Sequence, residues 1–164
     1  MRIREGREGD LPRLLEIYNY YVAETHITFD VEQGDLDSRL EWFDRFSSAG
    51  PHRLFVVEEG ESVCGYASSG LFRQKPAYAR SVETSIYLAP ERAGGGLGSA
   101  LYGHLLDVLA AEPSVHRAYG GVAIPNPASL ALHEKLGFLC VGTFREVGFK
   151  FGSYWDVAWF ERAL

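Results

Sequence analysis

The feature that most constrains this chain is a cluster of glycines between a strand and a helix. Residues 94–96 and Gly98 are glycine, Pro90 lies just before them, and leucines four residues apart follow from Leu97 onward. Proline cannot donate to a sheet ladder, and the leucine spacing is typical of a helix, so the glycines join the two elements. Glycine lets the backbone approach a ligand closely, and the first N–H groups of a helix point outward at the positive end of its dipole. The junction predicts an anion-binding cradle, with a flexible turn as the alternative.

Two nucleotide-binding motifs do not fit this junction. A P-loop requires a lysine directly after its last glycine, and Ser99 follows Gly98 here. A dinucleotide-binding fingerprint requires a third glycine and an acidic residue about twenty positions further on. Leu101 occupies the third position, and residues 115–117 of that window are Val, His and Arg. The cradle therefore belongs to another kind of anion site.

Hydrophobic periodicity predicts seven strands and four helices. The predicted helices cover residues 11–22, 36–46, 97–111 and 127–136, with the second ending near 48–50 and Asn126 as the N-cap of the fourth. The predicted strands cover 1–5, 54–57, 63–69, 82–88 and 119–124, with 58–61 as a turn and two further strands within 139–164. The order β-α-α-β-β-β-α-β-α-β-β indicates an α/β fold, with a mixed central sheet flanked by helices in one domain, 1–164.

Composition and charge exclude several classes of protein. The chain has 164 residues, of which 46% are hydrophobic and 23% charged, as in ordinary globular domains. A net charge of −6 opposes broad binding to nucleic acid or to anionic membranes. No run approaches the ~20 apolar residues of a membrane span, and the N-terminus does not resemble a signal peptide, so we expect a cytoplasmic protein. Cys64 and Cys140 lie in apolar runs, which predicts buried thiols and no metal site.

Several blocks of the sequence carry a resemblance to a known family. The loop from Arg92 to Gly98 resembles the pyrophosphate-binding loop of the GNAT acetyltransferase superfamily, written Gln/Arg-x-x-Gly-x-Gly/Ala. Ala93 stands in the Gln/Arg position of that pattern, with Arg92 one residue early. The other blocks look like the phosphinothricin acetyltransferase branch, and the resemblance runs from Ile3 to Leu164. These blocks are Ala77-Tyr78, Glu83, Ser85-Ile86-Tyr87-Leu88, Gly98-Ser99-Ala100-Leu101-Tyr102, Pro125-Asn126-Pro127-Ala128-Ser129, Leu132-His133-Glu134-Lys135-Leu136-Gly137-Phe138, Gly148-Phe149-Lys150-Phe151-Gly152 and Trp155-Asp156-Val157.

The resemblance implies the GNAT fold and acetyl transfer from acetyl-CoA to a primary amine, by direct attack of the amine on the thioester. It also implies a homodimer, and no metal cofactor is needed. The residues expected to bind acetyl-CoA are Ile86, Tyr87, Leu88, Gly94, Gly95, Gly96, Leu97, Gly98, Ser99, Asn126 and Ser129.

Two side chains are candidates for the proton transfers of this reaction. Glu83 lies in a β-rich run, where a partly buried carboxylate acquires a raised pKa and can accept the amine's proton; a solvent-facing glutamate is the alternative. His133 occupies a helix position where many relatives carry a tyrosine near the sulfur of CoA. It could assist proton movement or donate to the departing thiolate, or it could be a structural histidine.

The substrate side is predicted on the loop before Glu83. Arg73 offers a planar fork suited to a carboxylate or phosphinate, and Lys75 adds a second cation. Phe29 and Tyr78 would supply an apolar wall, and the resemblance adds Glu83 and Ser85 to the set. The predicted acceptor is an amino-acid-like amine of the phosphinothricin or methionine sulfone/sulfoximine type. A GNAT enzyme for another amine (a protein N-terminus or a polyamine) and a non-catalytic acyl-CoA sensor are the alternatives.

Overall fold

A computed structural model describes residues 1–92 and 94–164 of the chain, so the Gln/Arg position held by Ala93 lies outside the described residues. The strands are β1 (Arg2–Glu5), β2 (Leu54–Glu59), β3 (Ser62–Leu71), β4 (Ser81–Leu88), β5 (Arg117–Ile124), β6 (Leu139–Lys150) and β7 (Ser153–Ala163). The helices are α1 (Leu11–Glu24), α2 (Leu36–Phe43), α3 (Leu97–Ala110) and α4 (Pro127–Lys135). The predicted order of elements is confirmed.

The strands form one sheet in the order β1-β2-β3-β4-β5-β7-β6. Every neighbouring pair is antiparallel except β4 and β5, which are parallel. That parallel pair is short, because its register covers only Ser81 to Glu83 on β4 and Arg117 to Tyr119 on β5. Within the described residues, 84–88 and 120–124 do not pair with each other. The sheet is therefore split in the middle, and the gap opens toward the carboxyl ends of both strands.

Helices cover both faces of the sheet, as the side chains of β2 show by alternating between two buried clusters. Phe55 and Val57 of β2 belong to the buried cluster formed with α3, whereas Leu54 and Val56 belong to the cluster formed with α1. Successive side chains of a strand point to opposite faces, so a fully apolar run is the expected sequence for a strand between two helical layers.

The second helix differs from its prediction. It ends at Phe43, and Leu36 and Leu40 are 51% and 39% exposed, so the leucine half of the predicted apolar stripe is wrong, whereas Phe43 and Phe46 pack against the core. Arg39 is the buried residue of this helix, only 6% exposed, with its guanidinium 3.5 Å from the centre of the Trp42 ring. The stacking of a delocalised cation on an aromatic face turns this side of α2 inward in place of the leucines.

Two smaller predictions also need correction. Cys64 is buried as predicted, but Cys140 is exposed, because it lies on β6, the edge strand of the sheet. The turn predicted at 58–61 is only two residues long, since Gly60 adopts a φ of +63° that a tight hairpin turn requires. Among the described residues, no helix is both long and apolar enough to cross a membrane.

Candidate active site

A cavity of about 560 Å³ occupies the gap between β4 and β5, and α3 and α4 border it. Its lining includes most of the residues predicted to bind acetyl-CoA, together with Ser85 and His133. The described residues that line it are Tyr21, Ile27, Thr84, Ser85, Ile86, Tyr87, Leu88, Gly94, Gly96, Gly98, Ser99, Gly121, Val122, Ala123, Asn126, Ala128, Ser129, Ala131, Leu132, His133 and Lys135.

Among the described residues, the edge of β4 that faces this cavity has no partner strand beyond Glu83. The N–H of Ala89 donates to the carbonyl of Cys64 on β3 at 2.8 Å, so Leu88 directs its own N–H and C=O to the opposite edge. Because backbone groups alternate in direction along a strand, the N–H and C=O of Ile86 point to the same edge as those of Leu88. The carbonyl of Leu88 accepts a hydrogen bond from the hydroxyl of Tyr21 at 2.7 Å, a contact that the sequence did not predict.

The glycine loop lies at the open end of the gap. Gly94, Gly95 and Gly96 have φ values of +101°, +63° and +83°, in the left-handed region that L side chains rarely adopt. Gly96 is the N-cap of α3 and offers no side chain there. The three glycines therefore bring bare backbone to the first turn of a helix, the geometry that favours an anion.

Residues just after the glycines complete this end of the cavity. A Cβ added to Gly98 would lie 3.4 Å from Leu88 and 3.6 Å from Leu132, within the space that these side chains border. Lys135, which sequence reasoning missed, donates from Nζ to the hydroxyl of Ser99 at 2.9 Å and places a cation beside the loop. Leu97 is 6% exposed and belongs to the core, so it can contribute only its backbone.

The start of α4 has the predicted cap. The side chain of Asn126 accepts a hydrogen bond from the backbone N–H of Ser129 at 3.2 Å, which satisfies one of the free donors of the first turn. One turn further on, His133 is 4% exposed, and its Nδ1 donates to the carbonyl of Ser129 at 2.8 Å. The cap and this bond fix the imidazole against the cavity.

A chain of hydroxyl groups leads from His133 to β4. The Nε2 atom lies 3.3 Å from the hydroxyl of Tyr102, which lies 2.7 Å from Oγ1 of Thr84. Burial lowers the pKa of His133 below its ordinary 6.5, so the ring is neutral at pH 7, with the proton on Nδ1 and Nε2 as an acceptor. Sequence reasoning assigned Tyr102 to a resembled block and gave it no role, although a buried tyrosine hydroxyl normally has a hydrogen-bond partner.

Glu83 lies at the closed end of the gap, where β4 and β5 make their last pair. Its side chain is 42% exposed, and burial raises the pKa of the carboxyl while Arg73 lowers it. Nη1 of Arg73 lies 3.8 Å from the Glu83 carboxylate and donates to the carbonyl of Phe72 at 2.6 Å. The predicted proton acceptor and the predicted anion-binding residue are therefore neighbours.

Most of the predicted substrate residues lie outside the lining of the main cavity. Of that set, Ser85 borders it among the described residues, whereas Phe29, Arg73, Lys75, Tyr78 and Glu83 do not. The ring of Phe29 packs directly against Gly148 of β6, where a Cβ would collide with it. Lys75 and Tyr78 are both exposed.

Comparison with known proteins gives one family and full-length relatives. Residues 3–159 match the family model described as an acetyltransferase (GNAT) domain. A phosphinothricin N-acetyltransferase of Streptomyces coelicolor is 53% identical, and the match covers 100% of this chain and 96% of that protein. An L-methionine sulfoximine/L-methionine sulfone acetyltransferase of Salmonella typhimurium is 34% identical, with 100% and 95% covered.

A solved structure supports the same family assignment. The crystal structure of a phosphinothricin acetyltransferase from Sinorhizobium meliloti in complex with acetyl-CoA superposes with a TM-score of 0.94 at 32% identity. The match covers 99% of this chain and 88% of that one. The predicted fold is confirmed.

Proposed function

The chain belongs to the GNAT acetyltransferase family, and we propose that it transfers the acetyl group of acetyl-CoA to the amino group of a small amino-acid-like acceptor of the phosphinothricin or methionine sulfone/sulfoximine type. The observation that carries the proposal is the split between β4 and β5, with a glycine cradle at its open end and a carboxylate of raised pKa at its closed end. The names of the full-length relatives support the choice of acceptor.

The residues that border the gap fit acetyl-CoA. The left-handed glycines and the first turn of α3 would hold the pyrophosphate, with Lys135 as a nearby cation. The cavity-facing edge of β4 at Ile86 and Leu88, which no strand in the described part of the chain pairs with, would bind the amides of the pantetheine arm. A backbone N–H of that edge could polarise the thioester carbonyl as charge develops on its oxygen.

The proposed chemistry needs two proton movements. The acceptor ammonium must lose a proton before it attacks, and Glu83 takes that proton directly or through water, because its raised pKa suits a base at neutral pH. The thiolate of CoA leaves as the amide forms. The nitrogen loses its second proton as the C–S bond breaks, and Nε2 of His133 can accept this proton and pass it to the thiolate, since its Nδ1 proton is held by Ser129.

The test is a panel of free amino acids and analogues with acetyl-CoA, scored by thiol release. We expect turnover of phosphinothricin or methionine sulfone to exceed that of an amine without anionic groups. Arg73→Ala should lose about 10- to 100-fold in kcat/KM for these acceptors, because a hydrogen bond to a charged group contributes about 1.5 to 3 kcal/mol. Gln74→Ala is the matched control on the same loop.

Two other outcomes of this panel would favour an acyl-CoA sensor or a different acceptor class. Acetyl-CoA binding without turnover of any amine would favour the sensor. A wild-type preference for a polyamine or a peptide N-terminus would favour another acceptor class, with the acetyltransferase reaction intact.

A homodimer is part of the proposal. Seven large hydrophobic side chains of β6, β7 and their turn are more than half exposed, and β6 is an edge strand. They are Leu139, Val141, Phe144, Val147, Phe149, Phe151 and Tyr154. An apolar surface of this kind on an open edge suits a second copy of the chain. The expected result in sedimentation equilibrium is twice the monomer mass, lost in Phe149→Lys. A cytoplasmic location and the absence of metal, membrane and nucleic-acid partners stay predictions.

A further inference from the structure

A second cavity, of about 390 Å³, lies between α1, α2 and β4. Ser85 and Tyr87 of β4 line both this cavity and the main one, so the two meet along the strand. Apart from Ser85 and Tyr87, the residues that line the second cavity have no part in the sequence motifs or in the proposed reaction. Its most unusual lining residue is Arg39.

Arg39 is buried with part of its charge unpartnered. The side chain is 6% exposed, and among the described residues its Nε and Nη2 atoms have no hydrogen-bond partner. Aromatic rings surround the guanidinium, with centroids 3.5 Å from Cζ at Trp42, 4.9 Å at Tyr66 and 5.3 Å at Tyr18. Rings stabilise a cation through their faces but cannot accept both of its in-plane hydrogen bonds. A buried charged donor without an acceptor is costly, which indicates a ligand.

The identity of the free atoms indicates what kind of ligand this is. Nε and Nη2 form one edge of the guanidinium, and their two parallel N–H groups match the two oxygens of a carboxylate. We propose that Arg39 binds the carboxylate of the acceptor amino acid in the second cavity. The inference rests on the proposed function, since it assigns one group of the acceptor to one side chain.

The charges around the cavity are compatible with this assignment. Asp30 and Glu32 also line it, but both are exposed, and Asp30 accepts a hydrogen bond from the hydroxyl of Tyr18 at 2.6 Å. Water weakens their repulsion of an anion, whereas the attraction of the buried Arg39 acts in a medium of lower dielectric.

Residues on one face of β4 lie beside two arginines, one near each end of the proposed acceptor site. Glu83, Ser85 and Tyr87 share one face of the strand, and same-face neighbours are about 7 Å apart. Arg73 lies beside Glu83, while Arg39 shares its cavity with Ser85 and Tyr87. With the carboxylate on Arg39, Arg73 remains available for phosphinate or sulfone oxygens.

The experiment compares two acceptors that differ only in the carboxylate, L-methionine sulfone and 3-(methylsulfonyl)propylamine. Arg39→Met keeps the apolar stem between the rings, Arg39→Lys keeps the charge without the fork, and Arg45→Met is the control, an exposed arginine just after α2. We expect Arg39→Met to lose about 10- to 100-fold in kcat/KM for methionine sulfone and less than about threefold for the propylamine. The lysine variant should lie between, and the KM for acetyl-CoA should not change.

Several results would overturn the assignment. Equal losses on the two acceptors, a folded Arg39→Met variant that retains full efficiency toward methionine sulfone, or a wild type that prefers the propylamine each contradict it. Calorimetric binding of methionine sulfone to the CoA-loaded protein separates the two proposals. Binding that weakens in Arg39→Met supports the site even if no acceptor is acetylated, whereas turnover of the propylamine alone would leave acetyl transfer intact and refute the carboxylate site.

Discussion

Gly120 of β5 lies directly beneath the imidazole of His133, and a methyl group there should disturb the proposed active site. A Cβ at this position would lie 2.6 Å from Nε2 and 3.2 Å from Cδ2 of His133, and 3.5 Å from the hydroxyl of Tyr102. The first distance is far below van der Waals contact, so Gly120→Ala requires the ring to move by several tenths of an ångström.

The ring has little freedom to move. Its centroid lies 5.0 Å from that of Phe138 and 5.1 Å from that of Phe160, and Nδ1 is held by Ser129. Overpacking a buried site costs about 1 to 3 kcal/mol. For a chain of this length each kcal/mol lowers Tm by about 2 to 4 °C, so the expected fall is about 2 to 12 °C. Displacement of Nε2 should also lower kcat by about tenfold or more.

Differential scanning calorimetry and thiol release measure the two effects. Gly103→Ala is the control, because its Cβ would make an ordinary 3.8 Å contact with Leu136 and alanine is the better helix former. In the His133→Ala background the alanine at 120 should cost almost nothing, a coupling of about 1 to 3 kcal/mol. An unchanged Tm in Gly120→Ala, or an equal penalty with and without the imidazole, would refute the packing argument.

Three further changes test the cradle and the titrating groups. Glu83→Gln should lower kcat by about 100-fold with an unchanged KM for acetyl-CoA. It should also remove the acidic limb of the pH profile, which in the wild type lies above the usual pKa of glutamate because burial raises the pKa of Glu83. Turnover within a few-fold of wild type would contradict this role. Gly98→Val, whose side chain would enter the space between Leu88 and Leu132, should raise the KM for acetyl-CoA about tenfold; an unchanged KM in a folded variant removes the cradle. Burial lowers the pKa of His133, so as pH falls the histidine is protonated in the unfolded chain before it is protonated in the folded one. The free energy of unfolding should therefore fall as pH drops below 6.5. Urea titrations of His133→Gln that show the same pH dependence in this range would contradict the argument.

The local pattern of the sequence determined the elements and one end of the site. Helical and strand periodicities are properties of short windows, so the order of eleven elements was readable without tertiary information. The left-handed glycines and the Asn126 cap are likewise local, since each follows from the backbone freedom of glycine or the reach of one side chain.

The burial of particular side chains could not be predicted from local sequence patterns. Arg39 lies in a helix whose leucines suggested the opposite face, and it is buried because Trp42 and Tyr66, from two elements, surround it. Cys140 lies in an apolar run but on an edge strand, and strand order is a property of the whole sheet.

Only the tertiary structure decided the shape of the cavity. The split between β4 and β5 depends on where the two strands stop pairing. Their last pair, Glu83 and Tyr119, is 36 residues apart in the sequence, and neither strand's own sequence shows that the pairing ends there. The hydrogen bonds from His133 to Tyr102 and from Tyr102 to Thr84 join α4, α3 and β4 in the same way. Sequence patterns report which face a residue occupies on its own element, whereas a binding site depends on distances between elements, which packing of the entire core determines.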